Sequence, residues 1–329
     1  MSSWLGQDRP IADLMAALSG ERLHHAWLLG GTAGVGKAGV ALDFAKRLLG
    51  AEGDPMVPSG QLSVRKDDSV ARLVNANTHP DLVLIHRLAR DAKKGEPPTL
   101  ARNITVDQIR SLSRFLHLAP SMAERRVIII DAAEDMERGA ANALLKNLEE
   151  PPRNTIFLLI SHTPGRLLPT IRSRCRTLHF QPLNDVDMDQ VLTGIAPELS
   201  SADRQALIRG AEGAPGRALA MRPLDLAGLE SVLGRIAQSG DPTHRDRIQL
   251  ARALAPKAAQ ARYEAFLDFV PHYIARHLRN ARTSEDGQKA DAWAEAVALG
   301  QGAITLSLDP AATIFALCGS VARLAERNR

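Results

Sequence analysis

Gly31-Thr-Ala-Gly-Val-Gly-Lys-Ala38 is a phosphate-binding loop complete at every position but the last. Glycines at 31, 34 and 36 let successive backbone N–H groups turn inward around an anion, and Lys37 carries a charge that reaches the outer phosphates. At position 38, however, Ala stands where such loops place the Ser or Thr hydroxyl that holds Mg²⁺. The stretch predicts the backbone of a nucleotide site with one metal ligand missing.

On either side of the loop the pattern is that of a strand and a helix. Ala26–Leu29 is a short apolar run, and from Gly39 to Leu49 the residues Val40, Phe44 and Leu48 share one helical face. Similar buried-strand runs follow at Leu82–Ile85, Val127–Ile130, Ile156–Ile160 and Thr177–Phe180. Helical spacing separates them. Thr105 and Gln108 make a capping box ahead of Ile109, Leu112 and Leu116, while Ala141, Leu144, Leu145 and Leu148 form a stripe that Pro151 and Pro152 end. Strands alternating with helices predict a parallel sheet covered on both faces. Two stretches rich in Gly, Pro and charge, 51–70 and 86–103, read as surface loops or a small hairpin.

Beyond Phe180 the strand-like runs stop. Leu250, Leu254, Phe266, Phe269 and Tyr273 recur at helical spacing, so the remainder is expected to be all helix. The expected division is an α/β P-loop domain over residues 1–181, a small helical lid over 182–223 and an all-α C-terminal domain over 224–329. A chain of 329 residues suits more than one core.

Composition narrows the class. Lys and Arg number 41 against 37 Asp and Glu, and a charge of +4 supports only mild attraction to nucleic acid. Aromatic residues make up 4% of the chain, which leaves little material for a base-stacking platform. Cys175 and Cys318 are too few for a disulfide framework or a four-thiolate metal site, so a reducing, cytoplasmic setting and inert thiols are expected. Neither a signal peptide nor a membrane span is read from the sequence.

The second element of a nucleotide site is an acidic residue closing an apolar strand. Val127-Ile-Ile-Ile-Asp131 supplies it about 90 residues after the loop, and Asp131 is placed to orient a magnesium-bound water. Hydrolysing enzymes of many such folds carry Glu next, whereas Ala132 and Ala133 intervene before Glu134. Loss of a general base typically costs about 10²- to 10⁴-fold in rate. With Ala38 as a second, independent defect, efficient hydrolysis is not expected. Arg172-Ser-Arg-Cys175 stands just ahead of the last strand. Arg174 is the candidate for an arginine finger, although the bare tripeptide fits a surface ion pair better. His24, His25, His79, His86, His117, His162 and His179 lack metal-site spacing and read as surface or structural residues. Ser161 reads as a polar strand end, not a nucleophile, and no metal site is expected.

Leu23-His-His-Ala-Trp-Leu-Leu-Gly30, the loop, Thr78-His-Pro-Asp81, Ala141-Asn-Ala-Leu-Leu-Lys-Asn-Leu-Glu-Glu-Pro-Pro152 and Ser173-Arg-Cys175 occur in one order. Together they resemble the AAA+ clamp-loader family over residues 10–180. The resemblance implies an AAA+ domain with lid and collar, and membership of a DNA polymerase III holoenzyme. The altered loop and displaced Glu are similar to those of a stator subunit, which does not hydrolyse ATP and offers its Ser-Arg-Cys arginine, here Arg174, to an adjacent motor. Implied partners are the motor (gamma/tau) and delta subunits, with the sliding clamp and primer-template DNA met through the complex. Gly31, Gly34, Gly36, Lys37 and Asp131 would then form a degenerate phosphate/Mg²⁺ site, holding ATP or ADP without turnover if at all. Family members commonly carry four cysteines in an insertion after the first helix. Residues 51–77 have none, so zinc is not expected. A nucleotide-sensing role for Arg217 is not assigned, because its place in the motif is off by one. The rival readings are an active motor ATPase that tolerates Ala38, and a nucleic-acid scaffold working through Lys93 and Lys94.

Overall fold

The computed structural model describes residues 4–20, 23–53, 55, 62–65, 67–89, 101–222, 224–280 and 286–325. The chain divides into two compact units, Met1–Asp187 and Met188–Arg329. Lys93 and Lys94 lie outside the described residues, as do most of the 86–103 loop and part of the 51–70 stretch.

The first unit is a five-stranded parallel sheet in the order β2-β3-β4-β1-β5. Its strands are β1 (Ala26–Gly30), β2 (Leu82–His86), β3 (Arg126–Asp131), β4 (Thr155–Ser161) and β5 (Arg176–His179). All five apolar runs of the sequence are strands; β3, β4 and β5 each begin one residue earlier than expected, and β5 also ends one residue earlier, at His179. Burial follows position in the sheet: β1 and β4 are buried throughout and β3 along all but its last residue, whereas the edge strands β2 and β5 are only partly covered. Near-continuous apolar strands are what a sheet buried on both faces requires.

The helices of this unit are α1 (Asp8–Ser19), α2 (Lys37–Leu48), α3 (Ser69–Asn75), α4 (Val106–His117), α5 (Arg138–Glu149) and the short α6 (Pro169–Arg172). Thr105 caps α4 with the reciprocal Gln108 bonds expected of a capping box. Ile109, Leu112 and Leu116 of α4 and Leu144 and Leu148 of α5 pack on Ile128, Ile130, Phe157 and Leu159 of the sheet. Residues of this size each gain about 1.5–3 kcal/mol on full burial, and that burial fixes both helices on one face. The far end of α4 is closed by a buried arginine: the Arg126 guanidinium donates to the carbonyls of Phe115, Leu118 and Arg153.

The Thr78-His-Pro-Asp81 motif is explained by the same logic. The Asp81 carboxylate, 2% exposed, accepts the N–H groups of Ser121, Met122 and Ala123 at 2.6, 2.7 and 2.9 Å. Burial pushes its pKa up, but those three donors hold it below the ordinary value. His79 Nδ1 accepts the Asp81 N–H, so the motif is a clamp between the approaches to β2 and β3.

The second unit is helical throughout its described residues. Helix α7 (Asp185–Ile195) runs into it, followed by α8 (Ser201–Ala211), α9 (Pro215–Met221), α10 (Leu226–Ser239), α11 (Arg245–Leu254), α12 (Gln260–Asn280), α13 (Asp286–Thr305) and α14 (Pro310–Ala322). Ser200, Asp225 and Asp309 cap α8, α10 and α14. Phe266, Phe269 and Tyr273 are all buried on α12. Among the described residues no helix is long and apolar enough to cross a membrane.

Candidate nucleotide loop and arginine

The loop leaves β1 at its carboxyl end and opens α2. Gly31 N–H donates to Ser161 O on β4 at 3.2 Å, and Phe180 N–H donates to Gly30 O at 2.8 Å, which pins the strand exit on both sides. A side chain at Gly31 would place its Cβ 2.4 Å from Phe180 O. Gly34 and Gly36 adopt φ of +84° and +101°, conformations that other residues rarely take. The chain thus has the backbone of an anion cradle for reasons of packing and geometry both.

Lys37 is 3% exposed and bends back onto its own loop, donating to Gly31 O at 2.5 Å and Thr32 O at 2.6 Å. Burial pushes its pKa down to about 8, against the upward pull of Asp131 and Glu134. Asp131 closes β3 as the sequence predicts. Burial raises its pKa, opposed by His162 and Lys37. Glu134 lies on the 3-10 turn Ala133–Asp135. Its Oε1 accepts the N–H groups of His162 and Thr163 at 2.7 and 3.1 Å, so this carboxylate holds the exit of β4. Burial works to raise its pKa, but hydrogen bonds from the backbone keep it below the usual glutamate range.

His162, expected only as a surface or structural histidine, is at the surface but within the field of this cluster. Although the residue is exposed overall, partial desolvation of its ring and the Lys37 charge lower its pKa, and Glu134, Asp131 and Asp135 pull the other way. The parallel register could have found it, since Asp131 pairs with Ile160 two residues before His162. Ser161 is fully buried as the last residue of β4. The residues present fit a phosphate anion. They do not fit a catalytic Mg²⁺-nucleotide, because Ala38 has no oxygen to give the metal.

Arg174 lies at the other end of the sheet. In the parallel β1–β5 pair Trp27 is level with Arg176 and Gly30 with His179, so Arg174 stands before the strand start while the loop follows the strand end. At about 3.3 Å per residue the two are separated by about 13 Å or more along the strands. Arg174 donates to Thr170 O at 3.0 Å and pairs with Glu149 Oε1 at 2.7 Å, its side chain 35% exposed. Cys175 beside it is an inert thiol, pushed by burial to about 12, and burial likewise takes Cys318 to about 12. Arg217 is spent within the second unit, where it pairs with Asp268 at 3.2 Å and lies 3.9 Å from Glu212. Among the described residues no cluster of His, Cys, Asp or Glu could hold a metal ion.

A phosphate loop after the first strand, an acidic residue closing the third and a parallel sheet in this order define a P-loop α/β protein of the AAA+ type with a helical C-terminal region. A gamma subunit-related protein of DNA polymerase III from Thermotoga maritima has the same fold, at 17% identity and a TM-score of 0.51 over 95% of this chain and 98% of its own. Residues 6–184, more than half the chain, match the family described as DNA polymerase III, delta subunit, and the chain belongs to that family. The family resemblance read from the motifs is therefore borne out. DNA polymerase III subunit delta' of Pseudomonas aeruginosa is 40% identical over 49% of this chain and 45% of its own length. The Bacillus subtilis subunit of the same name is 36% identical over 54% and 48%. DNA polymerase III subunit tau of Escherichia coli is 33% identical over 66% of this chain and 31% of its own. The chain thus spans about half the length of its delta' relatives.

Proposed function

We propose that the chain is a delta-prime-type stator of the DNA polymerase III clamp loader, which lends Arg174 to the nucleotide of a neighbouring motor subunit and does not itself hydrolyse ATP. The observation that carries this reading is the position of Arg174: partly exposed, on a fixed turn, at the end of the sheet away from its own loop. A guanidinium so placed can stabilise transition-state charge only on a phosphate brought by another chain. Ala38 and the backbone-bound Glu134 support the non-hydrolysing half of the reading. Its partners are then the gamma/tau motor and delta subunits, with the clamp and primer-template DNA reached through the assembly in the cytoplasm. Helices across 182–223 serve as the lid and those across 224–329 as the collar.

The test is reconstitution with motor and delta subunits, followed by ATPase measurement on DNA. Arg174→Ala should assemble normally, with turnover at the Arg174-facing site lost. Unchanged complex turnover removes the finger role. Mg²⁺-dependent turnover by the purified chain alone, abolished by Lys37→Ala, would instead establish the motor reading.

A further inference from the structure

The N-terminal segment lies across the phosphate loop. A methyl group at Gly39 would stand 2.1 Å from Trp4 Cη2, and one at Gly36 would stand 3.3 Å from Cζ3 of the same ring, so the indole rests directly on the first turn of α2. It is anchored from two directions. Trp4 Nε1 donates to Asp43 Oδ2 at 3.1 Å, and Asp43 is itself held by Lys46 Nζ at 2.9 Å. Three residues on, the buried Gln7 exchanges hydrogen bonds with the Gln181 backbone, donating at 2.7 Å and accepting at 3.2 Å. The segment is therefore tied down at Trp4 and again at Gln7.

A polyphosphate seated in such a loop places its inner phosphates over the N-terminal turn of the following helix. Whatever is esterified to them must leave across that turn. Residues 36–39 are where the indole rests, and Gly at 39 is the residue that lets it rest there. We propose that Trp4 is a built-in occupant of the nucleoside side of this loop, closing it to ADP and ATP while leaving the phosphate cradle formed. The inference builds on the reading of residues 31–38 as a phosphate cradle and is independent of Arg174. It separates two causes of inactivity: the missing oxygen at Ala38 impairs metal binding, whereas Trp4 acts earlier, at entry of the nucleotide.

The experiment is calorimetric titration of the full chain with ADP in the absence of Mg²⁺, so that Ala38 is not at issue. Trp4→Ala should bind ADP about tenfold or more tighter than the wild type, and Trp4→Ala/Lys37→Ala should return to the wild-type level. Gly39→Ala keeps the tryptophan but forces it off the helix, and should gain ADP binding together with greater acrylamide quenching of Trp4 fluorescence. This second variant reads the same question if loss of the indole unfolds the chain. Equal ADP affinity in wild type and a folded Trp4→Ala overturns the proposal. Gained binding that survives Lys37→Ala also overturns it, by placing the ligand elsewhere and calling the phosphate cradle itself into question.

Discussion

The two ends of one sheet treat their charged groups in opposite ways. At the carboxyl end Lys37 donates to its own loop and Glu134 accepts from the β4 exit. At the amino end Arg174 stands partly in solvent, held by one carboxylate and one carbonyl. Charges satisfied inside the domain are expensive to redirect, whereas an exposed pair can exchange one anion for another at little cost. On the proposed reading, a nucleotide fold keeps its frame while its reactive capacity lies at the opposite edge.

The largest effect expected from this comparison is on the assembled complex. If Arg174 completes a neighbour's site, Arg174→Ala should lower turnover at that site by about 10³-fold. Arg174→Lys should recover only part of it, since a point charge does not reproduce the planar guanidinium fork. A lysine variant as active as the wild type would reduce the amino end to simple charge complementarity.

Asp81 sharpens the contrast from within the amino end, because there a carboxylate is buried and fully engaged. Asp81→Ala would leave the N–H groups of Ser121, Met122 and Ala123 without their acceptor. Unfolding in urea should show a loss of about 3 kcal/mol. Since the folded pKa lies below the unfolded one, the stabilisation is present above the unfolded pKa and fades as pH falls through the folded value. The difference between wild type and Asp81→Ala should therefore shrink in acid.

Lys37 gives the opposite pH signature. Its folded pKa of about 8 lies below that of an unfolded lysine, so between the two values the unfolded chain binds the extra proton and folding stability rises with pH. Relative to Lys37→Met, the wild type should gain stability on the order of 2 kcal/mol between pH 7 and pH 10.5. A flat difference would mean that the ammonium is not buried, and the contrast between the ends would lose its carboxyl-end half.

Much of this frame was legible in the sequence, and the reasons are local. The five strands are buried runs bounded by breakers, and the Thr105 cap and the Pro151 stop act within a few residues of themselves. The loop and Asp131 were equally plain. Trp4 was not, because its contact with Gly39 spans a long stretch of chain and nothing in Ser-Ser-Trp-Leu announces it. Gly39, a helix-weakening residue in a first turn, was the available hint. The engagement of Glu134 was hidden too. Spacing showed that the residue was displaced, but only the parallel register brings its carboxylate under the N–H groups of His162 and Thr163.

The smallest effect expected is the most discriminating for the amino end. Glu149 belongs to the Leu-Glu-Glu-Pro-Pro run and holds Arg174 through a pair whose side chains are 44% and 35% exposed. Exposed pairs contribute about 0–1 kcal/mol, so Glu149→Gln should shift urea unfolding by no more than about 0.5 kcal/mol. The amide keeps a carbonyl oxygen for the guanidinium, and Thr170 O remains in place, so the arginine should stay near its position with its charge less neutralised. A loss of 2 kcal/mol or more would show that the Arg174–Glu149 pair is part of the structural frame. The guanidinium would then be tied up inside its own domain just like the Lys37 ammonium, and the asymmetry between the two ends of the sheet would disappear.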